Sequence, residues 1–274
     1  MGEPIQIVTD TTADLPGDVI EELGLTVVPL NVTLEGEHFL DGTRTPEAFL
    51  AMMAGAKELP KTSQPSPGDF IKAFTPLLEK GPVLCITMSS KLSGTAQSAT
   101  VAAQMLGDRV TVFDSLSASL AEGAQVVRAA ELVGEGGTVE EVVGELTRYR
   151  DEHMALMAVA NMVNLVKGGR IPAWQGKLAD LIGIRPLVHN VEGALEVLEK
   201  IRGADKLYQR VLDKVRETEN IGDRIVGISH AGNPERAKWL ADQIEVLGPK
   251  RIVMGDMGCV ISTHAGAGAI VVGV

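Results

Sequence analysis

Short apolar runs alternate with helix-compatible stretches through the first half of the chain. Strands are predicted at residues 5–9, 25–32, 83–87, 110–113 and 154–160. The run VLCI within 83–87 is continuously apolar, as in a strand that is buried on both faces. Helices are predicted between these strands, at residues 18–23, 45–57, 69–80, 96–106, 117–132 and 139–149. This order predicts a mostly parallel sheet with helices on both faces.

The pattern changes after Asn161. Two strand-like runs, 184–189 and 195–201, flank a turn at 190–193 and predict an antiparallel hairpin. The segment 164–174 reads as a basic, glycine-rich loop. Further alternation of helix and strand follows, with helices at 204–218 and 233–247 and strands at 224–229 and 251–255. We therefore expect two α/β domains: residues 1–155 with a doubly wound, mostly parallel sheet, and residues 156–274 with a mixed sheet.

Composition narrows the functional classes. The chain has 274 residues, 45% of them apolar, which is typical of a folded globular protein. A formal net charge of −11 argues against a general nucleic-acid or anionic-membrane surface. Cys85 and Cys259 form no C-x-x-C pair, so neither a metal site nor a disulfide framework is expected. The sequence shows no signal peptide and no apolar stretch of transmembrane length, and a cytoplasmic location is expected.

Two hydroxyl-rich segments stand out. SSKLSG, residues 89–94, joins the strand 83–87 to a helix, and such a junction suits a carboxylate or phosphate. A structural interpretation stays open, in which Ser93 is a helix cap and the other serines only form a turn. Thr62 and Ser63 lie in KTSQPSP, which the prolines predict to be a stiff, exposed turn. We expect the two segments to converge on one site.

The first strand ends in TDTTADL, residues 9–15. Asp10, Asp14 and the threonines suit caps and turns there. The carboxyl end of a strand is also where α/β proteins bind ligands. Both interpretations stay open for this segment, and the cap is the simpler one.

An enzymatic alternative rests on GISHAG, residues 227–232, which nearly matches a nucleophile elbow. Ser229, Asp256 and His264 follow in the chain order of an α/β-hydrolase triad. The match is weak because the next helix starts only at Asn233-Pro234, and too little chain follows for that fold. No Walker A or G-x-G-x-x-G motif occurs, and HAGAGA near the C-terminus lacks the spacing of a phosphate loop.

Taken together, the motifs resemble those of the DegV family, the fatty-acid-binding subunits of bacterial fatty acid kinases. The matching segments run along the whole chain: TDTTADL, KTSQPSP, SSKLSGTAQSA, FDSLSASLAEG, LVKGGRI, IRPL with EKIRG, HAGNPERA and GCVISTHAGAGA. None is decisive alone, and their order and coverage carry the resemblance. It implies two α/β domains with a lipid held between them.

The resemblance also implies roles for individual residues. It places the fatty-acid carboxylate against hydroxyls and a backbone N–H, with a histidine close by: Thr62, Ser63, Ser93, Gly94 and His264. Arg170 and Arg202 correspond to positions that face the partner kinase or the acyl-phosphate. No cofactor is implied.

The expected function is therefore that of a binding subunit, not an enzyme. It would hold a long-chain fatty acid in an apolar tunnel and present the carboxylate to a separate ATP-dependent kinase for acyl-phosphate formation. Five methionines are candidates for an adaptable tunnel lining: Met52, Met53, Met154, Met157 and Met162. A serine hydrolase that acts on a lipid-like ester through Ser229 and His264 is the alternative.

Overall fold

The computed structural model describes residues 3–160, 162–171 and 183–274. The strands are β1 Gln6–Asp10, β2 Thr26–Val28, β3 Asn31–Leu34, β4 Glu37–Leu40, β5 Lys61–Ser63, β6 Val83–Thr87, β7 Val110–Asp114, β8 Ala155–Ala158, β9 Arg185–Val191, β10 Ala194–Ile201, β11 Ile225–His230, β12 Arg251–Asp256 and β13 Ile270–Gly273. The helices are α1 Gly17–Glu22, α2 Pro46–Gly55, α3 Pro67–Leu78, α4 Thr95–Leu106, α5 Leu120–Gly134, α6 Val139–Glu152, α7 Val163–Lys167, α8 Ala204–Arg216, α9 Pro234–Glu245 and α10 Cys259–Ala265. None of the described helices has the length and apolar character needed to cross a bilayer.

The fold is α/β, as expected. A parallel sheet has the order β2-β1-β6-β7, and a mixed sheet has the order β10-β9-β8-β13-β11-β12. In the mixed sheet only β11 and β12 pair in parallel. A small antiparallel sheet, β4-β3-β5, lies beside them. The mixed sheet starts with β8 at Ala155, and the domain boundary at 155/156 stays a prediction.

Helix α5 packs between the two large sheets. Its first turns are buried on every side, which is the pattern of a core helix rather than of a surface helix. Two glycines on the mixed sheet permit this approach. A Cβ on Gly227 would lie 2.1 Å from the Leu120 carbonyl oxygen, and one on Gly273 would lie 2.4 Å from Ala121 Cα. The backbone of α5 therefore lies directly on the backbone of the mixed sheet, a contact that only glycine allows at these two positions.

Some local predictions were wrong. The single strand expected at 25–32 is two strands, β2 and β3, which lie in different sheets and are separated at Pro29-Leu30. Thr62 and Ser63 are not on a turn: they belong to β5, which pairs with β3. The loop expected at 164–174 contains α7, and its last residues, 172–174, lie outside the described part of the chain.

One buried histidine makes the stability of the fold depend on pH. His153, at the end of α6, stacks on Tyr149, and burial together with the nearby Arg224 charge lowers the pKa of His153 to about 3. The folded state therefore favours the neutral ring. The stability that the neutral His153 ring contributes is fully present above its pKa in the unfolded state, about 6.5, and is lost as the pH falls towards 3.

We expect His153→Phe to reduce this acid sensitivity while it keeps a ring against Tyr149. Between pH 7.5 and pH 5 the wild type should lose about 2 kcal/mol more unfolding free energy than the variant. Urea unfolding at four pH values measures this difference, and His38→Phe, at an exposed site, is the control. Equal pH slopes in the wild type and His153→Phe would contradict the assignment.

Candidate functional site

A cavity of about 370 Å³ lies between the carboxyl edge of the parallel sheet and the mixed sheet. This volume is within the range of roughly 300–1,000 Å³ that is usual for small-molecule sites. Most of its wall is apolar and consists of Leu30, Met88, Leu92, Leu116, Ala118, Ala155, Leu156, Met157, Leu165, Leu195, Val260, Ile261, Ala265 and Val271. The cavity thus offers an extended apolar chain a large contact area, with polar groups concentrated in a few segments.

The two hydroxyl segments meet at this cavity. Thr62, Ser63, Ser93 and Gly94 all line it. Contact between the segments is direct, because a Cβ on Gly94 would lie 2.4 Å from the side chain of Gln64. The pairing of β5 with β3 fixes Thr62, and the junction of β6 with α4 fixes Ser93.

Ser93 is not the cap of α4. Gly94 occupies that position without a side-chain cap, and the Ser93 hydroxyl lies 2.9 Å from the Thr95 hydroxyl instead. The first N–H groups of a helix have no partner within the helix, so donors as well as hydroxyls are available at this end of the cavity. Ser89 forms the turn that was expected of it, since its hydroxyl accepts from the Lys91 N–H at 3.2 Å, and the same hydroxyl also donates to the distant Gly193 carbonyl at 2.7 Å.

His264 joins the hydroxyl groups from the opposite wall. It lies in the last turn of α10, and its Nε2 is 2.9 Å from Thr62 Oγ1. Burial lowers the pKa of His264 to about 3, and the charge of Arg170 acts in the same direction. The ring is therefore neutral at neutral pH. The backbone at Gly168 packs directly on it, because a Cβ there would lie 2.4 Å from His264 Nδ1.

Arg170 supplies a positive charge in the cavity wall. Its Nε donates to the Leu92 carbonyl, and its Nη1 donates to the Gly168 carbonyl at 2.6 Å. The side chain is half-buried, burial lowers its pKa, and no carboxylate pairs with it among the described residues. A guanidinium that is partly desolvated and lacks an acidic partner favours a bound anion.

Arg202 lies elsewhere. It is exposed just beyond β10 and is not among the residues that line the cavity. The structure therefore separates the two arginines that the sequence grouped together. Their role towards a partner kinase stays a prediction.

Sequence reasoning missed several residues of the wall. Asn190, near the tip of the β9–β10 hairpin, accepts from the Ala155 N–H and donates to the Leu116 carbonyl, and so holds the hairpin over the cavity. Of the five methionines, only Met157 lines it, and Met88 was overlooked. The other four, Met52, Met53, Met154 and Met162, are part of hydrophobic core clusters. No local signal distinguishes a wall position from a core position, because both are apolar.

The hydrolase residues are not brought together. Ser229 is fully buried, and its hydroxyl pairs with that of Ser119 on the neighbouring helix. Asp256 faces His230, at 3.2 Å, while His264 bonds to Thr62. Within the described part of the chain, neither His264 nor Asp256 bonds to Ser229, and Ser229 is not among the residues that line the cavity.

Comparison with known proteins agrees with this architecture. A family model with the description "Uncharacterised protein, DegV family" matches residues 4–274. A DegV domain-containing protein of Listeria monocytogenes is 34% identical over 269 residues, covering 97% of this chain and 96% of that protein.

Solved structures extend the similarity to three dimensions. A DegV family protein from Thermus thermophilus, reported for its fatty acid binding, has 37% identity and a TM-score of 0.91, with 98% of both chains covered. A Thermotoga maritima protein whose structure revealed a fatty-acid-binding function has 33% identity and a TM-score of 0.88, with 99% of this chain and 98% of that one covered. The similarity therefore includes the whole fold.

Proposed function

Because this chain belongs to the DegV family, we propose that it binds a long-chain fatty acid in the cavity between the two large sheets. The acyl chain lies along the apolar wall. The carboxylate is held by Thr62, Ser93 and His264, with Ser63 and the Gly94 N–H beside them. The observation that carries the proposal is the half-buried guanidinium of Arg170, which has no acidic partner among the described residues and faces a cavity whose described lining holds no acidic side chain.

The energetics favour a lipid over a small anion. Burying one methylene is worth about 0.8 kcal/mol, so a dozen contribute roughly 10 kcal/mol gross. A hydrogen bond to a charged carboxylate contributes about 1.5–3 kcal/mol. Affinity then comes from the tail, and the polar groups set the orientation of the head.

The polar end of the cavity lies at the protein surface. Ser63, Gln64, Ser90 and Lys91 line the cavity and are exposed. A carboxylate held there is within reach of a second protein. We propose that a separate ATP-dependent kinase phosphorylates it to an acyl-phosphate, with Arg202 in contact with that partner, and that this chain contributes binding rather than catalysis. Dependence on ATP places the proposed role in the cytoplasm.

Native mass spectrometry tests lipid binding directly. We expect the purified protein to carry one long-chain fatty acid per chain, and the delipidated protein to recover one from a mixture of fatty acids. Two arginine variants form a matched pair for this measurement. Arg170→Gln should lower retention about tenfold, because it removes the charge in the cavity wall, and Arg202→Gln should leave retention unchanged.

Phosphorylation by the kinase separates the two arginines further. Arg202→Gln should reduce acyl-phosphate formation although the lipid is bound.

Absence of lipid from both preparations would exclude the proposed function. Equal retention by the two arginine variants would show instead that Arg170 is not part of the head-group site.

A further inference from the structure

Four carboxyl groups lie buried beside the head-group site and are not explained by lipid binding. Asp10, Asp14, Asp41 and Glu122 are at most 7% exposed. Within the described part of the chain none of them forms an ion pair, and no group of acidic, histidine or cysteine side chains is arranged to hold a metal ion. Burial raises the pKa of all four. Burying a carboxyl group away from water costs free energy unless hydrogen bonds compensate for it. The hydrogen bonds that these groups accept therefore indicate their role.

Two of them hold the start of α10. Asp14 Oδ1 accepts from the Gly258 N–H at 2.8 Å, and Asp41 Oδ1 accepts from the Cys259 N–H at 2.7 Å. These donors have no partner within the helix, and a carboxylate at a helix N-terminus is also favoured by the helix dipole. The contact is tight, because a Cβ on Gly258 would lie 3.0 Å from Asp41 Oδ1 and 3.2 Å from Asp14 Oδ1.

Helix α10 connects this anchor to the head-group site. It spans Cys259–Ala265, with His264 in its last turn. At about 1.5 Å per residue, the anchored N–H groups lie roughly 8 Å along the axis from His264. A helix this short moves as one body, so a shift at its start is transmitted to the imidazole. The 2.9 Å contact between His264 and Thr62 tolerates only a few tenths of an ångström.

A third carboxyl group, that of Asp10, supports the wall of the cavity opposite α10. Asp10 Oδ2 accepts from the Met88 N–H at 3.0 Å, where β6 leads into the segment that carries Ser93. The same side chain accepts from Thr12, so it is held in one orientation. Carboxylates from TDTTADL therefore hold two of the three segments that approach the proposed carboxylate, α10 and the segment that carries Ser93, although neither Asp10 nor Asp14 lines the cavity.

We propose that Asp41 and Asp14 are positioning residues for the lipid head-group site: they anchor the start of α10 and thereby hold His264 against Thr62. This inference rests on the proposed function, because it assigns His264 to the carboxylate of a bound fatty acid. It also gives TDTTADL a role that the sequence left open between a cap and a ligand site. The segment caps, through Asp14, a helix that lies more than 200 residues away in the chain.

The test compares palmitate with hexadecanol, which has the same tail length but no carboxylate. Asp41→Ala should weaken palmitate binding about tenfold and change hexadecanol binding less than twofold. Asp41→Asn keeps an oxygen that accepts from the Cys259 N–H and should restore palmitate affinity to within threefold of the wild type. In a His264→Ala background, Asp41→Ala should cause no further loss.

A milder variant covers the case in which Asp41→Ala does not fold. Gly258→Ala keeps both carboxylates but crowds them, and it should weaken palmitate binding in the same selective way. Gly144→Ala, at a helical glycine with open space around it, is the control. Side-chain NMR on the lipid-free protein measures the position of the His264 ring. Gly258→Ala should displace the His264 ring signals more than Asp41→Asn does. The ring signals of His38 should stay in place in both variants.

The outcomes separate the two proposals. An equal loss of palmitate and hexadecanol affinity, or a loss that persists without His264, would overturn the positioning role. Unchanged His264 signals in the Gly258→Ala protein would overturn it as well, whether or not lipid binds. A wild-type protein that bound neither ligand would refute the proposed function, and the NMR comparison would still decide whether the carboxylates position His264.

Discussion

Ala155→Phe is expected to lower the affinity for palmitate about 100-fold. Ala155 lies on β8, where its side chain and that of Met157 point to the same face and both line the cavity. A phenyl ring in a cavity of about 370 Å³ displaces part of the acyl chain. Loss of three or four buried methylenes costs about 3 kcal/mol, which corresponds to roughly two orders of magnitude in the dissociation constant.

Chain length provides the internal check on this variant. Dodecanoate, which is four carbons shorter than palmitate, should bind to Ala155→Phe nearly as well as to the wild type. Met105→Phe adds the same ring at a position that is 70% exposed and should change neither affinity. Titration with both fatty acids measures the effect. A parallel loss for dodecanoate and palmitate would indicate a damaged fold, and undiminished palmitate binding would place the acyl chain elsewhere.

The double variant Thr62→Val, Ser93→Ala is expected to weaken palmitate binding by a similar factor for a different reason. Each hydroxyl supplies a hydrogen bond to a charged group, worth about 1.5–3 kcal/mol, and two such bonds at the lower end of that range correspond to about 100-fold in affinity. Valine keeps the shape of threonine, so the contact area with the tail hardly changes. Hexadecanol should therefore bind within about threefold of the wild-type affinity.

Kinase-dependent acyl-phosphate formation gives a second measurement on the same protein. It should fall at least as much as palmitate affinity, because a mobile carboxylate is poorly oriented for transfer. Thr75→Val, on the surface of α3, is the matched control. If the double variant is phosphorylated as well as the wild type, Thr62 and Ser93 do not hold the carboxylate.

Much of the fold could be predicted from local pattern. The continuous apolar run of β6 and the two runs on either side of the 190–193 turn are short and bounded by turn residues, which favours strands over helices. The helix start at Thr45-Pro46 carries a cap and an N-terminal proline, and the structure confirms it. The helix expected from residue 69 begins two residues earlier, at Pro67, with Ser66 as its cap. These features depend on neighbours in the chain, so the sequence contains them directly.

The errors occur where distant contacts override local preference. β5 is a strand because β3 offers its edge to Thr62, and the prolines that follow it gave no sign of that pairing. Helix α10 begins at a glycine without a side-chain cap, and its caps come from Asp14 and Asp41. A window of neighbouring residues cannot contain either signal.

The candidate site divides in the same way. The sequence by itself determined the chemical groups: two hydroxyl segments, a glycine at a helix start, His264 and Arg170, in a chain with the motifs of a lipid-binding family. Only the tertiary structure decided their arrangement, since it placed Arg170 in the cavity wall and Arg202 outside it and buried Ser229 away from His264. The physical reason is that residue type fixes what a group can bond to, whereas the packing of α5 between the two large sheets and of α10 against β3 and β5 fixes which groups meet.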